Sequence, residues 1–152
     1  MRKRAIIIDL DGTLCNVDHR LHFIQRKPKD WAGFHEACAG DQLNDWCSLI
    51  TDAFYALYGK TLYIEVLILT GRPESMREKT ECWLMANAIR YHRLYMRPDD
   101  DHRDDLDYKR DFYEKLIVPH YSIEFVIEDR KRVVDMWRSL GLTCLQCCEG
   151  NY

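Results

Sequence analysis

Short apolar runs separated by segments of helical periodicity leave few folds open to this chain. Ala5 to Ile8 and Ile64 to Leu69 are strand-length, rich in β-branched residues and apolar at successive positions, the pattern of strands buried on both faces. Ser122 to Ile127 reads the same way, and shorter strands are expected around Leu94 to Met96 and at Thr143 to Cys147. Between them, Trp46, Leu49, Ile50, Ala53, Phe54 and Leu57 recur at three and four, a helical stripe closed by Gly59. Val133, Val134, Trp137 and Leu140 form another, ended by Gly141. Ser75-x-x-Glu78 has the spacing of a capping box, and a further helix is expected to begin near Leu106 and to stop before Pro119. Strands alternating with helices predict an α/β protein: a Rossmann-like, mostly parallel five-stranded sheet flanked by helices. The positions between Asp11 and Thr70 hold helices and a short flap-sized stretch, so only a minimal cap is expected.

A chain of 152 residues is long enough for one sizeable core and short for two, so residues 1–152 are read as a single domain with one site. Its net charge of −3 excludes the broadly basic surface that tracks long nucleic acid. Any polyanionic substrate must therefore be met locally. The apolar runs are too short for a membrane span, and Met1-Arg2-Lys3-Arg4 passes straight into the first strand, so no membrane partner and a cytoplasmic setting are expected. Seven cysteines, an odd number lying in unrelated segments, suggest reduced thiols and no disulfide framework. The Cys144-x-x-Cys147-Cys148 cluster lacks a second ligand pair for Zn²⁺.

In open α/β sheets, ligands bind beyond the carboxyl ends of the strands. Asp9 and Asp11 follow the first strand, Thr70-Gly71-Arg72 the second and Glu128-Asp129-Arg130 the fourth, so three distant segments should meet in one crevice. Two carboxylates two residues apart on an extended exit repel each other unless a cation lies near. Hard oxygen ligands without His or Cys favour Mg²⁺, with Asp129 as a further ligand. Asp9 could then attack phosphorus as a nucleophile, and Asp11 could serve as general acid and base. Lys109 shares a helical face with Leu106, Tyr113 and Leu116, which points it toward the core, where Asp105, one turn earlier, can orient it.

Asp9-x-Asp11-Gly12-Thr13, then Thr70, Lys109 and Glu128-Asp129, resemble in order the four motifs of haloacid dehalogenase-type phosphatases. Nearly the whole chain is also similar to the 3′-phosphatase domains of phage polynucleotide kinase/phosphatases. Arg20 sits at that family's spacing after Asp9, Thr70-Gly71-Arg72 parallels its Ser-Gly-Arg, and Asp105-x-x-x-Lys109 keeps its Asp-to-Lys spacing. The closing Val133 to Gly141 segment and the Gly150-Asn151-Tyr152 end are similar as well. The resemblance implies a Mg²⁺-dependent enzyme that removes the 3′-terminal phosphate from DNA or RNA ends through an aspartyl-phosphate. It implies Asp9, Asp11, Thr70 and Lys109 as catalytic groups, and Arg20, Arg72, Arg97, Gly71 and Asp105 around the substrate. Asp9, Asp11, Glu128 and Asp129 would surround the metal, with Glu128 standing where the closest relatives carry aspartate. Gly59-Lys60-Thr61 superficially resembles a phosphate-binding loop, but Phe54 stands where its first Gly belongs and a strand follows, so no kinase activity is expected. A nucleotidase or other small-molecule phosphatase would share these motifs and differ only at the rim.

Overall fold

A computed structural model describes residues 2–60 and 63–150. Thr61, Asn151 and Tyr152, which figure in two of the motif comparisons above, lie outside the described residues. The strands are β1 (Lys3–Ile8), β2 (Cys15–Asn16), β3 (Gln42–Leu43), β4 (Ile64–Pro73), β5 (Arg93–Arg97), β6 (Tyr121–Glu128) and β7 (Cys144–Gln146). The helices are α1 (His22–Gln25), α2 (Trp31–Glu36), α3 (Asp45–Leu57), α4 (Arg77–Ala86), α5 (Asp105–Phe112) and α6 (Lys131–Ser139). Five strands form one parallel sheet in the order β5-β4-β1-β6-β7, and β2 and β3 form a separate antiparallel ribbon. The chain builds outward from β1 through β4 to β5, then returns to place β6 on the other side. The order therefore reverses beside β1, which is where such sheets open a crevice.

Alternation along β1 decides which core each residue joins. Ile6 and Ile8 pack with Val66, Ile68, Trp83 and Leu84 beneath α3 and α4. Ala5 and Ile7 pack with Leu67, Leu69, Tyr108, Val133, Val134 and Trp137 beneath α5 and α6. Both faces are covered, which is why the strand sequences are continuously apolar. One polar residue interrupts β4: Glu65 is buried, and it accepts from Lys3 Nζ at 2.7 Å and Tyr121 Oη at 2.8 Å.

Three local expectations are corrected. The Ser75/Glu78 capping box does not form, because Glu74–Met76 is a 3₁₀ turn, α4 starts at Arg77 without a side-chain cap, and the Ser75 N–H donates to Asp99 at 2.9 Å. The α3 stripe is rotated: Cys47 and Thr51 are buried, while Trp46, Leu49 and Leu57 are exposed. Leu116 is exposed instead of sharing the inward face of Lys109, because Tyr113–Ile117 continues α5 as a π-helical turn whose wider pitch shifts the phase and buries Ile117. Gly59, at φ +76°, follows the last residues of α3 in the left-handed conformation expected of a C-terminal stop.

Between β2 and β3 the chain makes a small lobe of a 3₁₀ turn (Asp18–Arg20), α1, α2 and a second 3₁₀ turn (Ala37–Gly40), with Ile24, Phe34 and Cys38 buried inside it. Asn44 fastens its exit to the loop after β1, donating through Nδ2 to Thr13 O and through its backbone N–H to Leu14 O, each at 2.9 Å. The lobe therefore sits beside the carboxyl end of β1.

Candidate active site

β1 runs on past Ile8, the Asp9 N–H donating to Ile127 O at 3.0 Å, and the loop then folds back so that Gly12 N–H meets Cys15 O at 2.9 Å. This turn delivers Asp9 and Asp11 to the crevice from one strand end. β6 delivers Glu128 and Asp129 beside them, and α5 lays Lys109 across the gap. Lys109 Nζ lies 2.6 Å from Asp9 Oδ1, 2.8 Å from Glu128 Oε2 and 3.4 Å from Asp105 Oδ2. All of these groups are buried or nearly so. Burial opposes the charge on Lys109, but the three carboxylates outweigh it and hold its pKa well above the ordinary value.

The carboxylates are unequal. Burial, reinforced by Glu128, pushes Asp9 up to about 7 against the pull of Lys109. Glu128 moves the same way, chiefly by burial. Asp105 goes the other way, down to about 2, because Lys109, Arg130 and Arg97 together overcome its desolvation. Burial also opposes ionisation of Asp11, yet Arg72 and Arg20 hold its pKa well below the usual carboxylate range.

Among the protein's own side chains, Asp9 and Asp11 therefore take different cations as partners. Asp9 has Lys109, and Asp11 has two arginines. Arg72 Nη2 and Arg20 Nη2 lie 2.5 and 2.6 Å from Asp11 Oδ1. The same guanidiniums are bridged by Asp41, which accepts from Arg20 Nε and Arg72 Nη2 at 2.6 Å each and from Arg20 Nη2 at 2.7 Å. Arg20 also donates to Phe34 O at 3.1 Å and stacks over the Phe34 ring at 4.1 Å. Nothing near Asp41 in the sequence marks it: it ends the small lobe, and its partners lie 21 and 31 residues away. Trp83 of α4 secures its position, donating from Nε1 to Asp41 O at 2.9 Å.

The other predicted residues occupy defined places. Thr70 is buried at the end of the apolar part of β4, and its hydroxyl accepts the Arg72 N–H at 3.2 Å. Gly71 lies against the Asp105 carboxylate so closely that a Cβ would collide with it, which is why glycine stands there. Arg97, at the end of β5, donates to Asp105 Oδ1 at 2.7 Å and to Arg103 O at 3.1 Å. Arg130, which followed the predicted Glu128-Asp129 pair without being given a role, also pairs with Asp105. Within the acidic stretch Asp99 to Asp105, Asp99 accepts from the Ser75 N–H, Asp101 holds Arg103, and Asp104 caps α5 through the Leu106 N–H.

One cavity of about 720 Å³ opens on this ensemble. Asp9, Asp11, Gly71, Arg97, Asp105 and Arg130 are among the residues that line it. The buried guanidiniums of Arg20 and Arg72 stand behind Asp11 instead of lining it.

Carboxylate oxygens of Asp9, Glu128 and Asp129 all lie within 4.8 Å of one another and are buried, a set of hard donors suited to Mg²⁺. Burial, with a smaller part from repulsion by neighbouring carboxylates, displaces Asp9 and Glu128 upward, and a divalent cation would offset it. Asp11 belongs by its carboxylate to a different group, with Cys15 and Asp41. The chain end closes over the first group: Cys147 N–H donates to Glu128 O at 3.0 Å and Gly150 N–H to Asp129 O at 3.2 Å, and a Cβ on Gly150 would strike the Asp129 carboxylate. If this set holds Mg²⁺, a hundredfold excess over Kd should stabilise the chelated protein by about 2.7 kcal/mol, a rise of roughly 5–10 °C in melting temperature. Asp129→Asn should abolish the shift, and a melt indifferent to Mg²⁺ would count against the site.

Residues 3–152 match the family described as the polynucleotide kinase PNKP phosphatase domain. The chain is 28% identical over 140 residues to an Autographa californica nuclear polyhedrosis virus protein whose name couples polynucleotide kinase with RNA ligase. That alignment covers 91% of this chain and 18% of the viral protein. Two structures of the Pnkp1/Rnl/Hen1 complex, one titled an RNA repair complex, contain a chain 32% identical over 99% of this one, with TM-scores of 0.81 and 0.82. This chain covers 48% and 44% of those chains, so it spans less than half of these relatives and of the viral protein. The fold extends to the HAD-hydrolase YfnB of Bacillus subtilis, at TM-score 0.63 and 10% identity over 96% of this chain and 89% of that one. No helix among the described residues is long and apolar enough to cross a membrane.

Proposed function

The chain belongs to the family of polynucleotide kinase phosphatase domains, and on that footing we propose that residues 1–152 form one domain, a cytoplasmic Mg²⁺-dependent polynucleotide 3′-phosphatase that clears 3′-terminal phosphates from DNA or RNA ends. The observation that carries this reading is Asp9, a carboxylate on an open cavity, held 2.6 Å from a buried lysine and beside two further acids. A nucleophile at that position needs positive charge for the phosphoryl oxygens, and Lys109 is the buried cation held beside it.

In the proposed reaction an Asp9 oxygen bonds to phosphorus and the bond from phosphorus to the 3′ oxygen breaks, leaving an aspartyl-phosphate. Mg²⁺ held by Asp9, Glu128 and Asp129 would supply charge neutralisation on the phosphoryl group. Asp11 gives a proton to the departing 3′ oxygen and later takes one from the water that releases inorganic phosphate. Arg20 and Arg72 hold Asp11 ionised, the state required to accept that proton. To donate one in the first step, its carboxyl must leave the arginines and take up a proton from solvent before it meets the leaving oxygen. Asp105 fixes Lys109, Arg97 and Arg130 around the phosphate position, and Gly71 lets it approach.

Turnover should be compared on a 3′-phosphorylated oligonucleotide, its 5′-phosphorylated isomer and free nucleoside monophosphates. The 3′-phosphorylated end should be the best substrate by kcat/KM, and EDTA should abolish its turnover. Equal or better activity on the free nucleotides would replace this reading with a nucleotidase.

A further inference from the structure

The lining of the cavity also carries an aromatic group from the small lobe: Trp31, Phe34 and His35 of α2. Trp31 opens the helix, whose N-cap Asp30 accepts the Gly33 N–H at 2.8 Å. Two rings back the indole, His35 stacked at 6.1 Å with planes 24° apart and Phe34 edge-on at 5.8 Å. An indole so braced loses little further freedom when something lies on it, yet it is 46% exposed in a chain with ample core to receive it. Lys29, itself exposed, holds its ammonium 5.2 Å over the same ring. The ring thus already attracts a partner that is held only by a flexible side chain. Burial pushes the imidazole of His35 down to about 4, so it is a neutral aromatic surface at working pH.

We propose that Trp31, braced by His35 and Phe34, is a stacking platform for the base of the nucleotide that carries the terminal phosphate, and that Lys29 meets the next phosphodiester. This rests on the phosphatase reading above and names what distinguishes a polymer end from a bare phosphomonoester at the same site. A phosphate at Asp9 and a base on Trp31 would lie in one cavity, whose volume of about 720 Å³ suits a nucleotide. The facing acids Asp99, Asp101 and Asp104 are each engaged by neighbouring donors, which blunts their repulsion of a polyanion. Stacking reads no base edge, so the platform accepts all four bases.

Two 3′-phosphorylated oligonucleotides test this, identical except that one carries a tetrahydrofuran abasic residue at its 3′ end. The unaltered protein should prefer the base-bearing end by at least about 10-fold in kcat/KM, mostly through KM, as a single stacked base warrants. Trp31→Ala should erase the preference and Trp31→Phe should keep most of it. Equal turnover of both ends by the unaltered protein, or a preference that survives Trp31→Ala, would overturn the platform. Failure to turn over either end would remove the underlying phosphatase reading, and the platform's substrate with it.

Discussion

Asp9→Asn is expected to yield folded protein whose turnover is reduced by at least roughly 10³-fold, because an amide oxygen cannot form and release an acyl phosphate. Folding should survive, since Lys109 retains Glu128 and Asp105 as partners. The variant should in fact be the more stable one when metal is chelated. Asp9 in the folded protein has a pKa raised above its unfolded value, so its contribution to stability is complete below about pH 4 and is lost as pH rises through about 7. Asparagine does not titrate. The melting-temperature advantage of Asp9→Asn over the unaltered protein should therefore grow between pH 5 and 8, and Mg²⁺ should narrow it by stabilising the unaltered protein more. Turnover within tenfold of the unaltered protein would exclude Asp9 as the covalent nucleophile. An advantage that shrank with rising pH would contradict the electrostatic account of the cluster.

Asp41→Ala is expected to have the largest effect on stability. The substitution leaves two buried guanidiniums facing the single carboxylate of Asp11, and breaking a buried charge network in this way costs about 3–5 kcal/mol. For a chain of this size that is a fall in melting temperature on the order of 10 °C. Activity should fall as well at temperatures where the variant remains folded, because Arg20 and Arg72 would close more tightly on Asp11 and hinder its release. Asp41→Asn should be intermediate: it keeps acceptors for the guanidiniums but not the charge. Calorimetry and steady-state kinetics on the three proteins decide this. Melting temperatures within 2 °C of each other would show that Asp11 alone suffices to hold the pair.

Much of the candidate site was readable because it sits where strands end. Asp9, Thr70 and Glu128 each close an apolar run, and a parallel sheet carries such ends to one edge irrespective of what joins them. Lys109 was readable for a related reason, because a charge on the inner face of a helix demands partners. The helix boundaries were less so. The Ser75 cap was overridden by a tertiary hydrogen bond to Asp99, and a π turn moved Leu116 to the surface.

What the amino-acid order determined by itself was the sheet, the edge on which its chemistry gathers and the identity of the acids there, because apolar period and strand length are local properties of the chain. Only the tertiary structure decided how those acids divide their cations: Lys109 to Asp9, and Arg20 and Arg72 to Asp11 through Asp41. The same holds for the aromatic wall of the cavity. Asp41, Trp31 and His35 belong to a lobe whose placement depends on contacts made across tens of residues, and pairing energies of buried charges depend on distances that no local pattern encodes.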